Sequence, residues 1–278
     1  MNTDRLMKIA LEMSGLEEIP GDSAVHHPGD GLRRILIGID LKQAELKMAR
    51  DLGFDCAIAH HPNAGTSILR YHEVLLRHVD QMVRAGVPQS VAEETMRQTV
   101  ESRRVLASMQ NYDHVPSVAR LLGIAYLNVH TPLDEIGRQR LASVVETLDP
   151  EKTAQDAADA LRQTFGEFRT AQTQIEIAVG KASNRLGRVV MSHGAGTNGG
   201  YAVAKAYFDH GVDTVLYIHC RPDDSERLRD EYGDSKTLIV TGHIASDSVG
   251  INPYVERLRE EGLEVTTFSG ILPGSSAR

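Results

Sequence analysis

Three short segments of this 278-residue chain carry side chains able to hold metal ions. In the first, Ala57-Ile58-Ala59-His60-His61-Pro62, two histidines close an apolar run and a proline locks the chain behind them. Successive side chains on a strand point to opposite faces, yet at a strand end the pair can splay, so that each imidazole reaches a different ion. Neutral imidazole suits zinc, iron or manganese. In the second, His130-Thr131-Pro132-Leu133-Asp134, the aspartate offers a hard oxygen ligand and His130 either a ligand or a partner behind one. Another reading makes Asp134 the cap of a following helix, and both roles can hold because a carboxylate has two oxygens. In the third, His243 and Asp247 stand four apart, and on a helix they would share one face.

Other polar clusters read differently. His26-His27-Pro28 repeats the histidine-proline pattern in a turn-rich stretch with no strand before it, which predicts solvated loop histidines. Gly194, Gly196 and Gly199 match the dinucleotide fingerprint G-x-G-x-x-G. The acid that motif needs about 20 positions further on falls on His219 and Cys220. A structural turn is therefore expected and no nucleotide cofactor, although such a loop can still receive an anionic group of a substrate. Cys220 is expected in the core and His219 at the lining of a site.

The elements that must position these residues follow an α/β pattern. Residues 4–14 have helical apolar spacing and stop at Gly15, and 33–40 read as a buried strand. A helix over 42–52 and a strand over 54–59 complete a βαβ unit, which implies a parallel, covered sheet. The stretch 68–123 is mostly helical, as an insert of about residues 65–123, and 125–130 is a third strand. A break at Asp149-Pro150 predicts two lobes, 1–148 with the first two motifs and 149–278 with the glycine loop and the third. In the second lobe, strands are expected around a turn at 184–187, then over 213–220, 238–243 and 263–268. Pro253 is expected to open a helix. Gly-x-Asp, an apolar strand and a histidine recur in both lobes, ending at His60 and at His219.

Composition narrows the class. The 38 acidic and 30 basic residues leave a net charge of −8, which argues against a nucleic-acid or anionic-membrane surface. Two cysteines make no disulfide framework and fit a reducing cytoplasm. No apolar run approaches the roughly 18 residues of a membrane span, and residues 1–15 do not read as a signal peptide. A soluble cytoplasmic protein is expected.

Taken in order, these motifs resemble the NIF-three-like family of dinuclear-metal proteins, from about residue 22 to residue 268. The resemblance implies two similar α/β lobes with the metal pair between them, each a mixed or mostly parallel sheet with flanking helices. Residue by residue it implies His60, His61, Asp134, His243 and Asp247 as ligands of two divalent transition-metal ions: zinc, iron or manganese. Many members form ring-shaped hexamers, so a homo-oligomer is implied, and some carry the label GTP cyclohydrolase one, type two. In the family the late acid is usually glutamate, where this chain has Asp247, and the link from His61 to Asp134 is longer than expected. Two metal ions lower the pKa of water and polarise a phosphoryl or ring-carbon substrate, so no separate general base is needed. The function expected is that of a dinuclear metal-binding protein, a metal-dependent hydrolase of a phosphate-bearing or nucleotide-like small molecule. The alternative is a non-catalytic metal-binding or regulatory protein.

Overall fold

Short β-branched runs alternating with amphipathic helices build two sheets. The computed structural model of the chain describes residues 1–274. Its first half contains α1 (Thr3–Ser14), β1 (Ala24–His27), β2 (Arg34–Gly38), α2 (Gln43–Asp51), β3 (Cys56–Ala59), α3 (Gly65–Leu69), α4 (Tyr71–Val74), α5 (Arg77–Arg84), α6 (Gln89–Ala107), α7 (His114–Leu122), β4 (Ala125–Asn128) and α8 (Thr131–Val145). The second half continues with α9 (Ala154–Thr164), α10 (Gly166–Thr170), β5 (Glu176–Val179), β6 (Val189–Met191), α11 (Gly200–Asp209), β7 (Thr214–Tyr217), α12 (Pro222–Tyr232), β8 (Thr237–Val240), α13 (His243–Glu260) and β9 (Glu264–Phe268). The insert after His61 is helical, as its apolar spacing predicts. Among the described residues no helix is long and apolar enough to cross a membrane.

One compact unit comprises Met1–Val74, Val100–Ile136 and Gly250–Ile271. Its sheet has the order β1-β4-β3-β2-β9, parallel except for β1. Strand periodicity explains why both faces are covered. Ile35, Ile37, Cys56, Ile58 and Leu127 face a core shared with Leu6 and Ile9 of α1 and with Tyr254 and Leu258 of α13. The alternating Leu36, Ala57, Ala59 and Tyr126 face a second core with Leu46 and Ala49 of α2 and with Val115 and Ala119 of α7. The parallel register brings the carboxyl ends of β2, β3 and β4 to one edge, and Asp40, His60 and His130 follow there.

The other unit comprises Leu75–Thr99, Gly137–Val249 and residues 272–274. Its sheet has the order β5-β8-β7-β6, with β5 antiparallel and the rest parallel. Met191, Leu216 and Ile239 pack with Leu161, Phe165 and Val249 in its core. Both units are thus mixed, mostly parallel sheets with flanking helices.

Several local expectations change. Strand β9, placed by sequence in the lobe 149–278, pairs with β2 from Arg34↔Glu264 to Gly38↔Phe268, so the units interleave along the chain. Strands β5 and β6 do flank the turn at 184–187 as expected, but they are not neighbours, since β5 pairs with β8 and β6 with β7. His26 and His27 lie in β1 and not in a loop; the His26 Nε2 is 2.9 Å from Asn128 Oδ1 and its ring stacks on Tyr126. Burial there pulls the His26 imidazole down to about 4. Pro253 does not open a helix but sits inside α13. An internal proline costs about 3 kcal/mol. Apolar burial offsets it, with Ala245, Val249, Ile251, Tyr254, Val255 and Leu258 all covered. Cys220 is half-buried outside the core, since β7 ends at Tyr217; Cys56 is fully buried, and both are free thiols.

Candidate metal centre

Four potential ligands meet in the first unit. His60 follows β3, and its backbone N–H continues the parallel ladder to the Gly38 carbonyl at 2.9 Å, while His61 bonds the Ile39 carbonyl at 3.0 Å. The two side chains splay as a strand end permits: His60 is 1% exposed, whereas the side chain of His61 is 24% exposed. Their ring centroids are 5.1 Å apart, and the His130 ring lies 4.9 Å from that of His60. One ring nitrogen from each of the three histidines lies within 4.8 Å of the others. Helix α8 begins at Thr131, and the Asp134 N–H donates to the His130 carbonyl at 3.0 Å. That turn aims the Asp134 carboxylate at the histidines, with Oδ1 3.1 Å from His60 Nε2 and Oδ2 3.6 Å from His130 Nε2. The capping alternative for Asp134 is therefore not the arrangement found.

The far side of each imidazole is held as well. His60 Nδ1 is 3.0 Å from the Val129 carbonyl, His61 Nδ1 is 2.9 Å from Asp40 Oδ1, and His130 Nδ1 is 2.6 Å from Asp22 Oδ2. Those oxygens can only accept, so each Nδ1 carries a proton and Nε2 is the ring atom left to face a ligand. At His60 that nitrogen lies 3.1 Å from a carboxylate oxygen of Asp134, with both groups buried. Two electron-rich atoms so placed call for a positive charge shared between them, and an imidazole, carboxylate donor set is one that zinc, iron or manganese accepts. Tyr71, from the helical insert, stacks on His130 with centroids 6.4 Å apart, and burial raises its phenol above the ordinary value.

In the second unit His243 opens α13, and its Nε2 lies 3.3 Å from Asp247 Oδ2 one turn on. Asp247 is 2% exposed. His219 joins this pair, its ring 4.6 Å from that of His243. Asn198 orients it, with Nδ2 3.2 Å from His219 Nε2 and Oδ1 accepting from the Ile218 N–H at 2.9 Å. The glycine loop before α11 is gripped by α5. Arg77 Nε donates to the Gly194 carbonyl at 2.7 Å, Gln81 Nε2 donates to the His193 carbonyl at 2.6 Å, and His78 Nε2 is 3.1 Å from Thr197 Oγ1. Sequence reasoning assigned no role to His78.

Asp22, Asp40 and Tyr71 were also missed. Asp40 had a usable signal, an acid just past the carboxyl end of a parallel strand. Asp22 had none. The antiparallel pairing Ala24↔Asn128 carries the residues before Ala24 back alongside His130 and Thr131, a juxtaposition 108 residues apart in sequence.

Comparison with solved structures finds chains similar to this one. A NIF3 superfamily protein from Sphaerobacter thermophilus is 50% identical over 97% of this chain and 98% of its own, with a TM-score of 0.93. Reduced HcgD from Methanocaldococcus jannaschii superposes with a TM-score of 0.57 at 14% identity, over 96% of this chain and 97% of that one. TTHA1606 from Thermus thermophilus gives 0.52 at 15% identity, over 96% and 97%. The last two share the fold. No protein-family model and no curated protein matches the chain.

Proposed function

The chain belongs to the NIF3 superfamily, and from that membership we propose that it is a dinuclear metal-binding protein that hydrolyses a phosphate-bearing or nucleotide-like small molecule. The ligands are His60, His61, Asp134, His243 and Asp247, serving one centre of two divalent ions. The observation that carries the reading is the buried His60–Asp134 contact, in which an acceptor-locked imidazole meets a carboxylate. The joining of the His243–Asp247 pair to the other three ligands rests on family membership.

Charge supports an anionic substrate. Two divalent ions bring four positive charges, and Asp134 and Asp247 offset two of them, because the three imidazoles are neutral as ligands. A phosphate group compensates the remainder. When bound, such ions lower the pKa of water and polarise a phosphoryl oxygen. The protein's own residues hold the geometry: Val129 and Asp40 fix the tautomers of His60 and His61.

Elemental analysis of protein purified without chelator is expected to find close to two transition-metal ions per chain. The double variant His60→Ala/His61→Ala should lose most of that metal, and full retention would overturn the ligand assignment. Metal-loaded protein is then screened against phosphoesters and purine nucleotides with manganese, zinc or iron, using the double variant as blank. Turnover above the blank supports the hydrolase; its absence with every metal leaves the binding or regulatory protein as the better reading.

A further inference from the structure

A cavity of about 230 Å3 opens at the amino ends of β3 and β4, the end of the first sheet opposite to His60 and His130. These strands run from Cys56 to Ala59 and from Ala125 to Asn128, so about 10 Å of strand separates the two ends. The lining comes from the chain 27–32 after β1, from Arg50, Phe54 and Asp55, and from Gly123 and Ala125. Its walls are fixed by the fold. A Cβ on Gly29 would lie 2.7 Å from the Ala125 Cβ, so loop and strand are in close contact. The Thr3 N–H donates to the Gly29 carbonyl at 3.1 Å, and the Leu32 N–H donates to the Met1 carbonyl at 2.9 Å. Asp55 Oδ2 accepts from the N–H groups of Arg33 and Arg34 at 2.9 and 2.8 Å, which leaves Oδ1 for a ligand. Among the described residues, the side chains of His27, Asp30 and Arg50 have no hydrogen-bond or ion-pair partner, so they too are available to a bound molecule.

Two carboxylates and one guanidinium border this cavity, and their charges sum to −1. The two carboxylates repel a dianionic phosphate. A metal ion does not suit the site either, because among the described residues the groups whose ligand atoms converge within 4.8 Å do not include His27, Asp30 or Asp55. The complement is a molecule with one carboxylate for Arg50, whose planar fork of donors matches it, and two cationic groups for Asp30 and Asp55. A basic amino acid carries that set of charges. The cavity is smaller than the roughly 300 Å3 at which drug-sized sites begin, which suits a molecule of amino-acid size. We propose that this cavity binds a free basic amino acid, lysine or arginine, at a site separate from the candidate metal centre. The proposal does not depend on the metal-binding reading.

Calorimetric titration of the full-length protein with L-lysine and L-arginine tests this. The comparison probes are their decarboxylated amines, 1,5-diaminopentane and agmatine, together with L-glutamate and inorganic phosphate. One of the two amino acids should bind with a Kd of about 1 mM or tighter, and glutamate and phosphate should bind more weakly. Arg50→Gln should weaken that amino acid about tenfold while leaving its amine, which lacks the carboxylate, unaffected. Asp30→Asn should weaken both. Both side chains are exposed, and thermal melts check that the variants fold. The proposal fails if neither amino acid binds or if glutamate or phosphate binds as tightly. It also fails if Arg50→Gln and Asp30→Asn leave the affinity unchanged, since the ligand would then lie elsewhere. Metal content should be the same in both variants as in the unaltered protein; a loss of metal in a folded variant would refute the separation of the two sites.

Discussion

Asp247, proposed above as a ligand, is one methylene shorter than the glutamate that the family resemblance implies, and it lies buried one helical turn from His243. Asp247→Asn preserves volume and removes the charge, so metal content should fall further than thermal stability does. Asp247→Glu should keep metal and much of any turnover. Elemental analysis beside a thermal melt separates the two, and an Asn variant with full metal would remove Asp247 from the ligand set. His78 makes a different residue-scale prediction. Burial lowers its imidazole from 6.5 to about 4. Between those values the unfolded chain binds the proton and the folded chain does not, so stability falls as pH drops from about 6.5 toward 4. The full effect is on the order of 3 kcal/mol at most. Denaturant melts across that range should show a shallower pH slope for His78→Gln than for the unaltered protein; equal slopes would refute the assignment. Single residues were legible where chemistry and position coincide, as at His60, His61 and Asp134. His78 was illegible because its role comes from Thr197, which is remote in sequence.

At the scale of elements, the turn from β6 into α11 is the most constrained connection near the candidate site. Gly199 has φ +88°, a left-handed conformation, and a Cβ there would collide with the Val203 side chain. Gly199→Ala should therefore cost about 1–3 kcal/mol. A urea melt with an unchanged midpoint would show that the turn relaxes at no cost. Most strands were readable because buried parallel strands are short apolar runs between helices. The start of α13 was not. Proline at 253 is a local signal for a helix start, whereas the continuous helix from His243 is stabilised by residues distant in sequence, such as Leu6 at the Tyr254 hydroxyl, 3.0 Å away. That continuity is what puts His243 and Asp247 on one face.

For the whole molecule, the expected assembly is a homo-oligomer, with the hexamer as the size the family resemblance implies. The end of α6 and the loop after it expose Val105, Leu106, Met109 and Tyr112, with Met109 76% exposed. Large apolar side chains exposed within eight residues of chain suit a contact with another copy. Light scattering should give a multiple of the 30.5 kDa chain mass. Leu106→Glu/Met109→Glu should lower it. A monomeric unaltered protein would end the expectation of assembly, and an unchanged mass in the variant would move the contact elsewhere.

The sequence by itself determined the α/β class, the parallel βαβ core and the places where the candidate ligands follow strands. Those features rest on local periodicity and on the rule that parallel strands present their carboxyl ends together. Only the tertiary structure decided which strands are neighbours and what stands behind each imidazole. Strand β9 could not be assigned from its position in the chain, because pairing with β2 depends on the register of residues about 230 apart. Asp22 could not be picked out among 38 acidic residues. A carboxylate becomes the partner of His130 through an antiparallel strand pairing and complete burial, and neither is encoded by the residues adjacent to it.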